Sequence, residues 1–276
     1  MQDTNPESMF DLERYPLADL ESRRIQELVF ECRSQLEHIG AVELPGFLKR
    51  DAVGKLAQEA DALAAIAFYN AETGNAYLEA IDPSLPDSHP KRKQETSTFG
   101  VVAYDQFLAE SSIRKIYESE LLLNFLCKAL GKKQLYRYAD PLGALNLSVM
   151  RKGDYLRWHF DQTDFVSSLC LQSPENGGHF EFVPMIRKRG AENYAEVAKV
   201  LRGSKEIVQK LNMVPGTLLL FEGRHSLHRV STVEGDRLRH VLLLGYDTKP
   251  GVKSSAYLQF LRYGRTKDLA LENTQF

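Results

Sequence analysis

The sequence predicts a mainly β chain with helical additions, an α+β fold, on three observations. From Leu145 onward, short stretches of strand-like residues recur between turn signals such as Gly177-Gly178 and Pro215-Gly216. Ahead of them, Leu17 to His38 carries apolar residues at helical spacing, and Asp51 to about Ala67 is rich in Ala and Leu. The 276 residues, 43% of them hydrophobic, can bury a large core, so one domain over 1–276 is expected. Within it, 1–133 reads as mostly helical support and 134–263 as the β core.

The elements follow in order. Leu20, Ile25, Leu28, Val29, Cys32 and Leu36 mark one helix face, and Gly40 stops the helix. Ala41 to Leu48 alternates like a strand running into a turn, and Asp51 can cap the next helix. Asn70 to Thr98 is polar, with Pro83, Pro86 and Pro90 ahead of Lys91-Arg92-Lys93. It reads as a long loop, of the kind that is either a lid or disordered, its basic triplet a solvated run. Asp105 to Gly131 holds two helical stretches, the second from Ser119 to Leu130. Leu145, Leu147 and Val149 then alternate with Asn146, Ser148 and Met150. One face is apolar; the other points either to solvent or into a pocket, where Asn146 would meet a bound co-substrate or substrate.

Composition excludes several functions. A net charge of −2 gives no basic surface of the kind that dominates nucleic-acid affinity. No apolar run approaches the roughly 20 residues a membrane helix needs, and Met1 to Asn5 lacks the basic and apolar regions of a signal peptide. Cys32, Cys127 and Cys170 are odd in number and scattered, which fits a reducing cytoplasm better than a disulfide framework. The expectation is a cytoplasmic globular protein with no nucleic-acid or membrane partner, for which a homodimer stays open.

Chemistry concentrates in Trp158-His159-Phe160-Asp161 and, much later, Leu227-His228-Arg229-Val230. On a strand, His159 and Asp161 project from one face, so both can reach one metal ion. His228, beside another strand-like stretch, can close the set. Two imidazoles and one carboxylate on one face of a metal form the facial triad of non-haem Fe(II) oxygenases, which leaves positions open for a co-substrate and O₂. A lone H-x-D is weak, because most such pairs are ordinary strand residues. Parity adds Tyr155 and Arg157 to the same face, where Arg157 could bind a carboxylate or form a salt bridge at the rim. Gln162 follows directly. Trp158 and Phe160 point the other way, as core packing.

Order supplies the missing specificity. After His159 and Asp161 come the strand Phe165 to Leu171, the Gly-Gly turn, the strand His179 to Val183 and the apolar strand Thr217 to Phe221. His228 and a basic strand from Arg237 complete the series. This succession, with Pro215-Gly216-Thr217-Leu218-Leu219-Leu220-Phe221 and His228-Arg229-Val230-Ser231-Thr232-Val233-Glu234-Gly235, resembles the 2-oxoglutarate/Fe(II)-dependent oxygenases. It covers roughly Leu145 to Asp247, and the strand order "GAVELPGFL" between helices resembles their entry segment. The resemblance implies a double-stranded β-helix core (a jelly roll, cupin-like) with N-terminal supporting helices. It implies Fe(II) held by His159, Asp161 and His228, with 2-oxoglutarate and O₂ as co-substrates. It also implies an arginine after the second histidine for the distal carboxylate of 2-oxoglutarate. Arg239, embedded in an apolar strand, is preferred over Arg237, which stands near a turn.

A narrower resemblance is to the group that hydroxylates or halogenates free amino acids, including lysine. It rests on Glu192 to Gly203 (a helical insert within 191–203), on Gly223 to Val230 and on Gly245 to Gly251. In that group's halogenases a small residue takes the place of Asp161 and halide occupies the vacated iron position. This chain keeps the carboxylate, so hydroxylation of an unactivated C–H bond is the sharper expectation. A peptide hydroxylase and a non-oxidative metal-binding cupin are the alternatives. Of the remaining histidines, His225 competes with His228 but lacks the spacing to Val230, Val233 and Gly235. His179 and Glu181 share a face without a third ligand. His38, His89 and His240 have no constellation around them.

Overall fold

The computed structural model describes residues 5–267. Its first half runs α1 (Arg23–Ile39), β1 (Ala41–Leu44), α2 (Arg50–Ala64), β2 (Phe68–Gly74), β3 (Glu95–Val102), α3 (Ser112–Glu118), α4 (Glu120–Ala129) and β4 (Tyr136–Arg137). The central strands are β5 (Leu145–Met150), β6 (Leu156–His159), β7 (Val166–Gln172), β8 (Asn176–Gly177) and β9 (Phe180–Val183), followed by α5 (Tyr194–Leu201). Next come β10 (Gln209–Leu211), β11 (Leu218–Phe221), β12 (Leu227–Val230), β13 (Val233–Glu234), β14 (Arg239–Leu244), β15 (Tyr246–Asp247) and α6 (Ala256–Tyr263).

Two antiparallel sheets form the core. The larger has the order β1-β11-β7-β14-β5-β3-β2 and the smaller β10-β9-β12-β6. Leu145, Leu147, Val149, Leu169, Leu218, Leu220 and Leu242 pack in one cluster with residues of α1, α2 and α4. The alternate residues, Asn146, Ser148, Met150, Ser168, Leu219 and Val241, line a cavity on the opposite face. The polar side of β5 therefore faces inward. Across the cavity stands the smaller sheet, whose Phe182 packs against Leu219 and Phe221. This is the jelly-roll arrangement expected from the strand order.

Local chemistry explains the elements. In α1, Ile25, Val29, Cys32 and Leu36 form the buried stripe. The helix begins later than Leu17, because Leu17 to Ser22 is taken up in turns. Gly40 ends it in the left-handed region at φ 75°, its N–H reaching the carbonyls of Gln35 and Leu36. A side chain there would also meet Ser226 Oγ, 2.7 Å from an ideal Cβ. Asp51 does not cap α2. Lys49 holds the N-cap position, and Asp51 sits in the first turn, where the helix dipole favours its charge.

The segment Asn70 to Thr98 differs from the expected loop. Its two ends are β2 and β3, which pair in register from Phe68↔Val101 to Gly74↔Glu95 and form the edge of the larger sheet. The N-terminal third thus supplies three strands of that sheet as well as helices. Only the connection 75–94 is irregular, and it is pinned: Phe160 N donates to Ala76 O at 2.8 Å, and Tyr77 is buried against Phe160.

The C-terminal helix α6 is docked across β2 and β3. Asp140, fully buried, accepts from Leu142 N (2.9 Å), Gly143 N (3.0 Å), Ser254 N (2.8 Å) and Gln259 Nε2 (2.9 Å). Burial pushes its carboxyl upward, but those donors outweigh burial and hold it below the ordinary carboxylate value. Because the folded value is the depressed one, this stabilisation is present at neutral pH. It is lost as pH falls from about 3.9 through the folded value. Asp140→Ala should cost about 2–4 kcal/mol in urea unfolding at pH 7, since buried N–H donors lose a charged acceptor. The variant should also lack that part of the wild type's acid sensitivity.

Candidate metal centre

The centre is built on the pairing of β6 with β12, in which His159 stands directly opposite His228. A bulge lies just beyond, because β6 carries one more residue than β12 before Leu156 meets Val230. The two imidazole centroids are 4.1 Å apart. Phe221 meets the His228 ring edge-on at 4.8 Å and Phe180 stacks on it at 5.5 Å, so aromatic walls fix its orientation. Asp161 follows β6 and is tied by its N–H to Gly223 O at 3.0 Å.

Each imidazole is anchored by a carbonyl. His159 Nδ1 lies 2.9 Å from Arg157 O, and His228 Nδ1 lies 2.9 Å from Ser226 O. A carbonyl only accepts, so each Nδ1 carries a proton and each ring turns its Nε2 inward. Burial, reinforced by His228, pushes the His159 pKa down to about 3, which keeps that ring neutral. The inward atoms face one carboxylate: His159 Nε2 is 3.7 Å from Asp161 Oδ1, and His228 Nε2 is 3.5 Å from Asp161 Oδ2. Burial raises the Asp161 carboxyl, but the facing imidazoles more than offset this and keep it ionised. Three ligand atoms thus converge within 4.8 Å of one another. That donor set fits a divalent cation with open positions, and the carbonyl partners are the usual means of aiming ligand imidazoles.

Gly223 makes this possible. A Cβ there would lie 1.6 Å from Asp161 Oδ2. The backbone at Gly223 has no positive φ, so space alone requires glycine.

Arg239 lines the same cavity. It is 6% exposed, donates from Nε to Gly178 O at 3.0 Å and reaches Met150 Sδ at 3.7 Å. No carboxylate of the described residues pairs with it, and burial lowers its pKa. A buried guanidinium without an anion is costly, which fits a carboxylate ligand. Arg237 is exposed and spends its guanidinium on Ser173 O (2.8 Å) and Pro174 O (3.1 Å).

The other candidates separate. Asn146 lines the cavity, but its amide donates to Leu142 O and Leu145 O while its oxygen accepts from Tyr263 Oη at 2.9 Å. Arg157 is buried and bound to Glu72 and Ser97, with Nη2 3.0 Å from Glu72 Oε1. Gln162 is at the cavity wall, exposed, with Nε2 3.3 Å from Tyr77 O. Tyr155 is not brought to the metal centre. Its backbone pairs with Thr98 and its side chain lines a separate outer pocket. His179 lines that outer pocket too, and Glu181 is engaged by Arg229 at 2.7 Å. His225 lies 3.6 Å from Glu222 and outside the donor set. Among the described residues, His159, Asp161 and His228 alone bring three such ligand atoms together. Sequence reasoning missed Gly223; the steric need arises only from a contact across the fold.

The fold and the His159, Asp161 and His228 donor set fit a 2-oxoglutarate/Fe(II)-dependent oxygenase, and the comparison with known proteins points the same way. The model of the family Halogenase D matches residues 25–258. The chain belongs to that family. No curated protein matches it significantly. Solved structures share the fold at low identity. One is an oxidoreductase of the 2OG-Fe(II) oxygenase family from Burkholderia pseudomallei, at TM-score 0.51 and 16% identity over 81% of this chain and 92% of that one. A second is the non-heme alpha ketoglutarate dependent epimerase SnoN from nogalamycin biosynthesis, at 0.56 and 14% over 91% and 93%. A third is the prolyl hydroxylase from Trichoplax adhaerens in complex with a hypoxia inducible factor peptide fragment, at 0.52 and 15% over 83% and 94%.

Gly223→Ala should displace the Asp161 carboxylate while leaving both histidines in place. Fe(II) affinity, measured anaerobically by equilibrium dialysis, should fall at least about tenfold, as for loss of a ligand's support. Unchanged affinity would show that the carboxylate does not contribute from this position.

Proposed function

We propose that the protein hydroxylates an unactivated C–H bond of a small polar substrate, a free amino acid such as lysine or a close relative. The observation that carries the reaction type is the Asp161 carboxylate, held against Gly223 in the third donor position. In the halogenases this chain resembles, that position is a small residue and halide takes its place. Here the volume is filled. A cavity of about 320 Å³ around the centre supports a small molecule over a polypeptide.

In this reading His159, Asp161 and His228 hold Fe(II), and Arg239 receives the distal carboxylate of 2-oxoglutarate. The iron, when bound, supplies the O₂-activating chemistry. The reaction balances as substrate C–H, O₂ and 2-oxoglutarate giving C–OH, succinate and CO₂. The chain's own part is positional. Arg157 O and Ser226 O aim the imidazoles, while Phe180 and Phe221 wall the second histidine from water. Arg157, bound to Glu72, braces β6 against β2, and Asn146 holds Tyr263 of α6.

The test is anaerobic loading with Fe(II) and 2-oxoglutarate, then admission of O₂ with each free amino acid in the presence of chloride. The expected product gains one oxygen and succinate appears with it. Chlorinated product from the wild type overturns the hydroxylase reading. Arg239→Ala should weaken 2-oxoglutarate binding in calorimetry by roughly 2–5 kcal/mol, as for truncating one side of a buried charge pair. Arg237→Ala, whose guanidinium is tied to exposed backbone carbonyls, should change it little. The reverse pattern would reassign the anchor.

A further inference from the structure

Three arginines line the metal cavity: Arg157, Arg239 and Arg262. Arg157 is neutralised by Glu72 at 3.0 Å. Arg239 is the buried cation assigned above to 2-oxoglutarate. Arg262 has neither role. It stands on α6, it is exposed, and no carboxylate of the described residues pairs with it. Other arginines nearby are matched to acids, Arg187 to Glu192, Arg224 to Asp164 and Arg265 to Asp105.

The helix that carries Arg262 is fixed on both sides of it. Leu261 O accepts from Asn70 Nδ2 at 2.8 Å, and Tyr263 Oη donates to Asn146 Oδ1 at 2.9 Å. One turn earlier, Gln259 is bound to Asp140. Arg262 therefore projects from rigid backbone, and its charge is felt at Asp161, Tyr138 and Tyr263. Charge balance sharpens the point. In the loaded site, the two charges of Fe(II) and the one of Arg239 match Asp161 and the two carboxylates of 2-oxoglutarate. The Arg157–Glu72 pair is neutral, so the positive charge of Arg262 is left without a counterpart.

We propose that Arg262 is the substrate anchor, a guanidinium at the cavity wall that binds the α-carboxylate of the amino acid. This rests on the free-amino-acid reading above. Being solvated, Arg262 costs nothing in the empty cavity, and it offers a planar fork suited to two parallel hydrogen bonds with a carboxylate. Its rigid mounting fixes where the rest of the substrate lies relative to the donor set. The anchor selects for an acid and against the corresponding amide or ester.

The experiment uses the full chain loaded anaerobically with Fe(II) and 2-oxoglutarate. Each of the twenty free L-amino acids is titrated by calorimetry, and the tightest binder is compared with its own α-amide. In wild type the amide should bind about 10–100-fold more weakly, in the range for a charged hydrogen-bonded pair. Arg262→Ala should weaken the acid by a similar factor and leave the amide unchanged. In turnover the loss should fall on KM with little change in kcat, and Arg262→Lys should recover part of it. Binding of 2-oxoglutarate and the thermal midpoint should match wild type, which shows that α6 remains docked. An amino acid bound and oxidised equally well by Arg262→Ala overturns the anchor while the substrate reading stands. A selective loss of 2-oxoglutarate affinity also overturns it, moving Arg262 to the co-substrate. If no free amino acid binds, the substrate reading falls and the anchor with it.

Discussion

Three ligand atoms, two imidazole nitrogens and one carboxylate oxygen, gathered within reach of one cation are the constraint on which the rest of the structure turns. His159 Nε2 and His228 Nε2 stand 3.7 and 3.5 Å from the Asp161 carboxylate, an arrangement that a divalent cation between them would satisfy. Holding them there takes long-range structure. The β6–β12 pairing sets one histidine opposite the other, and two backbone carbonyls fix the tautomers. Phe180 stacks on the His228 ring and Phe221 meets it edge-on. Each is a small contribution, but together they pre-arrange a site that would otherwise relax by turning a ring.

The larger sheet serves the same end from the other side of the cavity. Because side chains alternate across a strand, β5, β7, β11 and β14 can bury leucines beneath the helices while presenting Asn146, Ser148, Ser168 and Arg239 inward. Arg239 is the extreme case. A guanidinium with one carbonyl and one sulfur contact is poorly compensated, and the sheet's packing keeps it in place. In the proposed function, metal and co-substrate would compensate the ligand cluster and this arginine together.

What could be read from the sequence followed from how local the cause was. The alternation of Leu145 to Met150 and the spacing of His159 and Asp161 are periodic facts, so the two faces of β5 and the convergence of the ligands were foreseeable, while only the fold decides that the polar face of β5 meets the cavity. Arg239 was separable from Arg237 because a turn at Gly235-Asp236 leaves the earlier residue at the hairpin, where it binds Ser173 O and Pro174 O. Strands β2 and β3 were hidden because their residues are polar and flank a proline-rich connection. As an edge pair they carry little apolar signal, and tertiary pairing decides their state. Helix α6 was missed because eight residues give barely two turns of periodicity, and it is held by Asp140, Asn70 and Asn146 rather than by propensity. Tyr155 obeyed parity only until the chain paired with Thr98 outside β6, which turned its ring to the outer pocket.

Gly223 and Asp161 show how one contact can tie chemistry to sterics. The Asp161 carboxylate occupies the volume in which a Cβ at residue 223 would lie, 1.6 Å from Oδ2, so a side chain at 223 and a carboxylate donor at 161 exclude each other. The backbone amide of Asp161 is bonded to the Gly223 carbonyl, so neither segment can swing away without breaking that link. Shortening residue 161 alone would leave a gap bordered by bare glycine backbone, with no side-chain donor from residue 223 to hold a halide. Under the hydroxylase proposal these two residues would act as one unit: a carboxylate that completes the donor set and a glycine that makes room for it.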